Sequence, residues 1–252
     1  MDDVALAGSL ARDAGHLAAR MLCEGVTVER KTSITDVVSA ADTAAENLIV
    51  ARLRAVRPDD GIVGEEGTSD PGAGRIWYLD PVDGTYNFVS GLPVWCSALA
   101  LAPSKSSTPL VGAVYQPSTD ELWVGAADGP ATLNGHPLPH LADRPLPDVS
   151  LATYMHPTAL GDDSLREPVL RVSAVAATVR MLGSGSVELA AVAAGRLGAS
   201  IQADTAPWDW LPGAALVLAA GGAAEVVEAC GHRWHVAGNR RTVADIAEGL
   251  TG

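Results

Sequence analysis

The chain has 252 residues, 48% of them hydrophobic, enough to bury a sizeable core without disulfide staples. A formal net charge of -13 opposes binding to nucleic acid or to anionic membrane, both polyanions, so neither is an expected partner. An anionic substrate would need a recruited cation to offset the surplus carboxylates. Three cysteines, Cys23, Cys96 and Cys230, are an odd number without metal-ligand spacing and read as reduced core thiols.

The first residues, MDDVALAGSLARDAGHLAARM, begin with two acids and are interrupted by Arg12 and Asp13, unlike the basic start and unbroken apolar stretch of a secretory signal. The longest weakly polar stretch, Leu211 to Ala224, falls short of the roughly 20 residues that cross a bilayer. A cytoplasmic location is the resulting expectation. Leu6, Leu10, Ala14, Leu17 and Met21 step at the spacing of one helical face. Thr43 followed by Glu46 is a capping-box pattern that opens a second helix, whose apolar residues Leu48, Ile49, Leu53 and Val56 run to Arg57-Pro58. These two helices are expected to pack together.

From Ile62 the pattern changes to short apolar runs bounded by turns: Ile76 to Leu79, Val94 to Ala102, Leu110 to Tyr115 and Glu121 to Ala126, expected as strands of one sheet. Weaker strand runs, Val149 to Tyr154, Val179 to Leu182 and Ala199 to Ala203, alternate with helical stretches at Val187 to Leu197 and Leu211 to Ala220, and a last helix covers Val243 to Leu250. Residues 68 to 74, 103 to 109 and 156 to 168 read as surface loops, none a clear linker, so residues 1 to 252 are expected to form a single domain.

Chemistry concentrates at Trp77-Tyr78-Leu79-Asp80-Pro81-Val82-Asp83-Gly84-Thr85-Tyr86-Asn87-Phe88, where an apolar strand ends in two carboxylates. Pro81 removes a backbone donor and Gly84 permits a tight turn, so Asp80, Asp83 and the Val82 carbonyl could face one pocket, an all-oxygen cluster suited to Mg²⁺. A turn whose acids only cap the next element is the alternative. Gly61-Ile62-Val63-Gly64-Glu65-Glu66-Gly67 is a second apolar run ending in acids, which also suits a solvated loop. Lys31 through Asp36 to Asp42 places acids before a helix, where capping alone would explain them. In Trp208-Asp209-Trp210 an acid sits between two large apolar side chains, an expensive place unless it is paired, metal-bound or an N-cap. Six scattered histidines carry no paired spacing, Trp77, Trp95 and Trp123 read as core, and Gly221-Gly222 reads as a helix terminator.

Taken together, GEEG, DPVDGTYNF and WDWLPGAALVLAAGG resemble the signatures of the inositol monophosphatase family, supported by Lys31, Asp36 and Asp42, by GAVYQP from Gly112 and by RMLGSG from Arg180. The resemblance runs from about residue 5 to residue 250. It implies an α/β (α+β) fold, a layered α-β-α-β-α sandwich, and a homodimer. It implies that Glu65, Asp80 and the Val82 carbonyl hold one Mg²⁺, that Asp80, Asp83 and Asp209 hold a second, that a third, weaker ion is recruited through Glu65 and water with Asp36 and Asp42 nearby, and that Lys31 and Asp36 support the site. It implies that Gly84 and Thr85 amides hold the phosphate, that Gly183, Ser184 and Gly185 contribute to the substrate site, and that water near Glu65 and Thr85, the latter oriented by Asp42, attacks phosphorus.

The implied activity is Mg²⁺-dependent hydrolysis of inositol monophosphate or a similar small polyol phosphate. Gly91 to Trp95 followed by Ser97 to Leu101 is similar to the histidinol-phosphate phosphatase subgroup, the enzymatic alternative. A non-catalytic regulatory protein on the same fold is the rival of another class, opposed by the intact acids. One departure stands out: where the family carries Asp and then Glu before the WD motif, this chain has Gly198 and Gln202, which exchanges a charged acceptor of substrate hydroxyls for a neutral amide.

Overall fold

The computed structural model describes residues 1–24, 28–30, 37–70, 72, 74–104 and 108–252. In chain order its elements begin with helix α1 (Asp3–Glu24), strands β1 (Val28–Arg30) and β2 (Val37–Ser39), helix α2 (Ala40–Val56), and strands β3 (Gly61–Gly64), β4 (Ser69–Asp70) and β5 (Arg75–Asp83). Helix α3 (Thr85–Val89) follows, then strands β6 (Cys96–Pro103), β7 (Val111–Gln116), β8 (Glu121–Ala126), β9 (Thr132–Leu133), β10 (His136–Pro137) and β11 (Ser150–Thr153). The remainder alternates: α4 (Asp163–Ser173), β12 (Thr178–Arg180), α5 (Gly185–Ala193), β13 (Ala199–Ala203), α6 (Pro207–Ala219), the hairpin β14 (Ala223–Ala229) and β15 (His232–Gly238), and α7 (Arg240–Thr251).

Among the described residues the strands form a β1–β2 pair, an eight-stranded sheet in the order β10-β9-β8-β7-β6-β5-β3-β4, and a five-stranded sheet in the order β12-β11-β13-β15-β14. Both large sheets are mixed: β3 runs parallel to β5, and β11 runs parallel to β12 and β13, while the other neighbours are antiparallel. Leu6, Leu10 and Ala14 of α1 and Ile49 and Leu53 of α2 pack with Trp77, Leu79 and Leu99 on one face of the larger sheet. The opposite face meets α5 and α6, whose own apolar residues run all round the helix because they are covered by a sheet on each side. Helices α4 and α7 close the outer face of the smaller sheet over Val169, Trp234 and Ile246. The result is the five-layer α-β-α-β-α sandwich.

Several local expectations are corrected. Helix α2 begins at Ala40, so Thr43 lies inside it, and Glu46 is buried and bonded to the β3–β4 turn instead of closing a capping box. Residues 156 to 168 are not one loop: a 3-10 turn at Pro157–Gly161 leads into α4, capped by Asp162 accepting from the Ser164 amide at 2.9 Å, and the misleading Pro168 is a buried residue inside that helix. The β14–β15 hairpin is also unannounced, since Val226 and Val227 stand side by side instead of alternating. Of the three cysteines only Cys96 is a core thiol; Cys23 ends α1 and Cys230 forms the hairpin turn with φ 53, and both are exposed. Trp77, Trp95 and Trp123 are buried as expected, and Gly221, with φ 80, terminates α6. No helix among the described residues is long and apolar enough to cross a membrane.

Candidate active site

Parallel pairing of β3 with β5 sets Gly64 beside Leu79, and the Glu65 amide donates to the Leu79 carbonyl at 3.1 Å, which brings Glu65 alongside the acidic end of β5. In a regular strand, residues three apart face opposite sides of the sheet. The β5–β6 register shifts between Asp80 and Asp83, at the point where Pro81 cannot donate to the ladder, and this irregularity admits both carboxylates to the same side. Asp209 arrives from elsewhere in the chain, in the first turn of α6 behind Pro207.

One carboxylate oxygen from each of Glu65, Asp80 and Asp209 lies within 4.8 Å of the others. Burial first, and then the charges of Glu65, Asp83 and Asp209, push the Asp80 carboxyl well above its ordinary pKa, and its buried Oδ1 has no hydrogen-bond partner among the described residues. Asp209 is pushed up to about 7, mainly by burial and then by Asp83. Three hard oxygen donors with an orphaned buried oxygen fit a hard cation, which would relieve both the desolvation and the mutual repulsion.

Asp83 is buried beside this trio and is partly committed to α5, because its Oδ2 accepts from the Ser186 amide at 2.5 Å. Burial raises its pKa against the hydrogen bonds of Ser186, Ser184 and Gly185. The Val82 carbonyl accepts from the Thr85 hydroxyl at 3.0 Å. Gly84 adopts φ +90 between β5 and α3, and a Cβ there would stand 3.0 Å from the Gly183 carbonyl, so the turn closes onto the loop before α5 only with glycine. Asn87 fastens the same contact, donating from Nδ2 to the Val94 carbonyl at 2.7 Å and to the Leu182 carbonyl at 2.8 Å.

A cavity of about 570 Å³ opens on these groups, with Glu65, Asp83, Gly84, Thr85 and Asp209 in its walls. Gly183, Ser184, Gly185 and the half-buried Gln202 line its other side, so Gln202 belongs to the pocket wall. Asp42 is buried in the first turn of α2. Lys31 and Asp36 lie outside the described residues.

Three contributors escaped the sequence reading: Ser186, Asn87 and Glu188. Buried Glu188 accepts from the Leu182 amide at 2.7 Å and is pushed up to about 8, chiefly by burial, so it shapes the loop that faces Gly84. The signal was present, a lone acid in the apolar run Val187 to Ala193, an environment as costly as that of Asp209.

A layered sandwich in which buried carboxylates from three elements converge has the makings of a cation-dependent enzyme, and comparison with known proteins identifies its family. The sequence model described as the inositol monophosphatase family matches residues 2–249. An inositol-1-monophosphatase from Rhizobium meliloti is 37% identical over 218 residues, 85% of this chain and 78% of the relative. A protein named fructose-1,6-bisphosphatase/inositol-1-monophosphatase from Thermotoga maritima is 32% identical, over 88% of this chain and 84% of the relative. The crystal structure of extragenic suppressor protein suhB from Bartonella henselae superposes with a TM-score of 0.87 at 28% identity, covering 97% of this chain and 96% of that one. The chain belongs to the inositol monophosphatase family of phosphoric monoester hydrolases.

Proposed function

We propose that the chain is a Mg²⁺-dependent phosphomonoesterase acting on inositol monophosphate or a similar small polyol phosphate. The observation that carries this reading is the convergence of Glu65, Asp80 and Asp209, with Glu65 and Asp209 in the pocket wall and Asp80 buried beside them. Among the described residues lining that cavity there is no arginine or lysine, so the positive charge an anionic substrate requires has to be recruited. In this reading Glu65, Asp80 and the Val82 carbonyl hold one Mg²⁺, Asp80, Asp83 and Asp209 a second, and a third, weaker ion lies by Glu65. Mg²⁺ bound there supplies charge that offsets the phosphate's own, favours deprotonation of water and stabilises the leaving alkoxide.

The chain's own groups do the rest. Backbone amides of Gly84 and Thr85, both in the cavity wall, hold phosphate oxygens, and the Asp83–Ser186 bond keeps the α5 start close against them. In this reading Glu65 and the Thr85 hydroxyl orient the attacking water, the hydroxyl turning its one proton from the Val82 carbonyl, where it points here, to Asp42; such positioned groups contribute on the order of 10² to 10⁴ in rate. The alcohol product leaves on the Asp209 and Gln202 side. A single 1–252 domain, supported by the α5–α6 layer common to both sheets, and a homodimer complete the reading.

Phosphate release from inositol 1-phosphate and glycerol 2-phosphate, with and without Mg²⁺, tests the proposal. Turnover that requires Mg²⁺ and stops on chelation is expected. Absence of release from every phosphomonoester at saturating Mg²⁺ would overturn it in favour of a binding protein on this fold. Light scattering on the eluting protein checks the dimer.

A further inference from the structure

A second cavity of about 440 Å³ adjoins the first, and the two share Tyr154, Met155, Gln202 and Asp209 in their walls. In the proposed reading the shared wall is on the side from which the alcohol of a bound phosphomonoester departs. Beyond it the surface changes character. Met155, Leu165 and Ala203 are half-buried apolar side chains facing the chamber, with Val169 beneath them and the 41% exposed ring of Tyr154 at its mouth. The exposed Asp204 is already committed, its carboxylate accepting from the Arg233 amide at 3.0 Å and pairing with His232 Nδ1 at 2.6 Å.

His156 and Thr158, bonded to each other at 2.7 Å, and Thr205 also line the chamber, but hydroxyls set against Met155, Leu165, Ala203 and Val169 find no partner there, each at the cost of an unmade hydrogen bond. A second phosphate would meet Asp204 and Asp209 with no arginine or lysine among the described lining residues. An apolar group of ring size buries the exposed carbon of Met155, Leu165 and Ala203 and can lie against the Tyr154 ring.

Building on the phosphomonoesterase reading, we propose that this chamber is a specificity subsite for the leaving alcohol, and that phosphate monoesters whose alcohol carries an apolar or aromatic ring are preferred over those of the same ester type without one.

The test compares kcat/KM for 2-phenylethyl phosphate and ethyl phosphate, whose ester oxygens are both primary alkyl. A preference of about tenfold or more for the phenyl ester is expected, the scale at which an apolar pocket discriminates. Leu165→Trp, which fills the chamber from α4, outside the wall shared with the first cavity, should erase most of that preference while ethyl phosphate turnover stays normal. Ala203→Leu serves as a second filler should the larger one impair folding. Equal kcat/KM for the two esters, or a preference that survives a filler with normal ethyl phosphate turnover, overturns the subsite and leaves the phosphatase reading standing. No turnover of either ester, while inositol 1-phosphate or glycerol 2-phosphate is hydrolysed, overturns the subsite alone; no release from any of the four overturns both.

Discussion

A side chain on Gly64 would overlap the buried carboxylate of Glu46, so the end of β3 and the first turns of α2 interlock only because position 64 is glycine. Through that gap Glu46 accepts from the Glu66 amide at 2.9 Å, the Thr68 amide at 3.1 Å and the Thr68 hydroxyl at 2.7 Å, tying down the chain that follows Glu65. Gly64→Ala should cost about 2 to 4 kcal/mol, the range of overpacking combined with broken buried hydrogen bonds. Glu46→Gln, which keeps an acceptor, should cost less in stability but weaken Mg²⁺ binding by loosening Glu65. Denaturant melts and calorimetric Mg²⁺ titration of the two variants check this; wild-type stability in Gly64→Ala would refute the interlock.

Asp209→Asn should remove nearly all turnover while the protein stays folded, because the change deletes one charge from the trio without altering shape. Without Mg²⁺ the thermal midpoint should hold or rise, since a crowded carboxylate is removed. Asp83→Asn should behave alike, its amide oxygen still accepting from Ser186. Near-normal turnover of either variant at saturating Mg²⁺ would discard the ligand assignment.

Gln202 lies across both cavities, its Oε1 3.5 Å from where a Cβ on Gly185 would stand. A carboxylate there restores a charged acceptor for substrate hydroxyls. Gln202→Glu should therefore raise the ratio of kcat/KM for inositol 1-phosphate over glycerol 2-phosphate. An unchanged ratio would remove this side chain from substrate recognition.

Asp3, at the start of α1, accepts from Arg57 at 2.8 Å and from Arg75 at 2.6 Å, joining the helix to the α2 end and to β5. Burial raises its pKa, but the two arginine hydrogen bonds outweigh this and hold it below the ordinary 3.8. A carboxylate depressed in the folded state contributes stability above its unfolded pKa and loses it as pH falls through the folded value. The wild type should therefore lose stability below about pH 4 through this group, a carboxylate's ordinary titration range, and Asp3→Asn should be less stable at neutral pH with a shallower acid fall. Denaturant midpoints between neutral pH and strong acid read both effects; parallel profiles would exclude Asp3 as an acid-sensitive clasp.

Local physics made much of this protein legible in its sequence. The four-residue steps from Leu6 through Ala14 bury one face of α1, the apolar runs of β5 to β8 become strands, and the acids of GEEG, DPVDG and WDW end or begin elements where backbone pairing stops. Those signals depend on neighbours a few residues apart, which any chain displays before it folds. Glu46 shows where that information stops: three residues after Thr43 it has the spacing of a helix cap, yet its partners are Glu66 and Thr68, set beside it by the packing of α2 against the sheet. Residues 156 to 168 read as a loop, yet Pro168 is buried inside α4, and Gln202, expected at the substrate, lines two cavities whose shapes only the fold provides. The meeting of Glu65, Asp80 and Asp209 within 4.8 Å likewise belongs to the tertiary structure alone. Bringing buried carboxylates together is locally unfavourable, and only the packing of whole helices and sheets, summed over many apolar contacts, is strong enough to impose it.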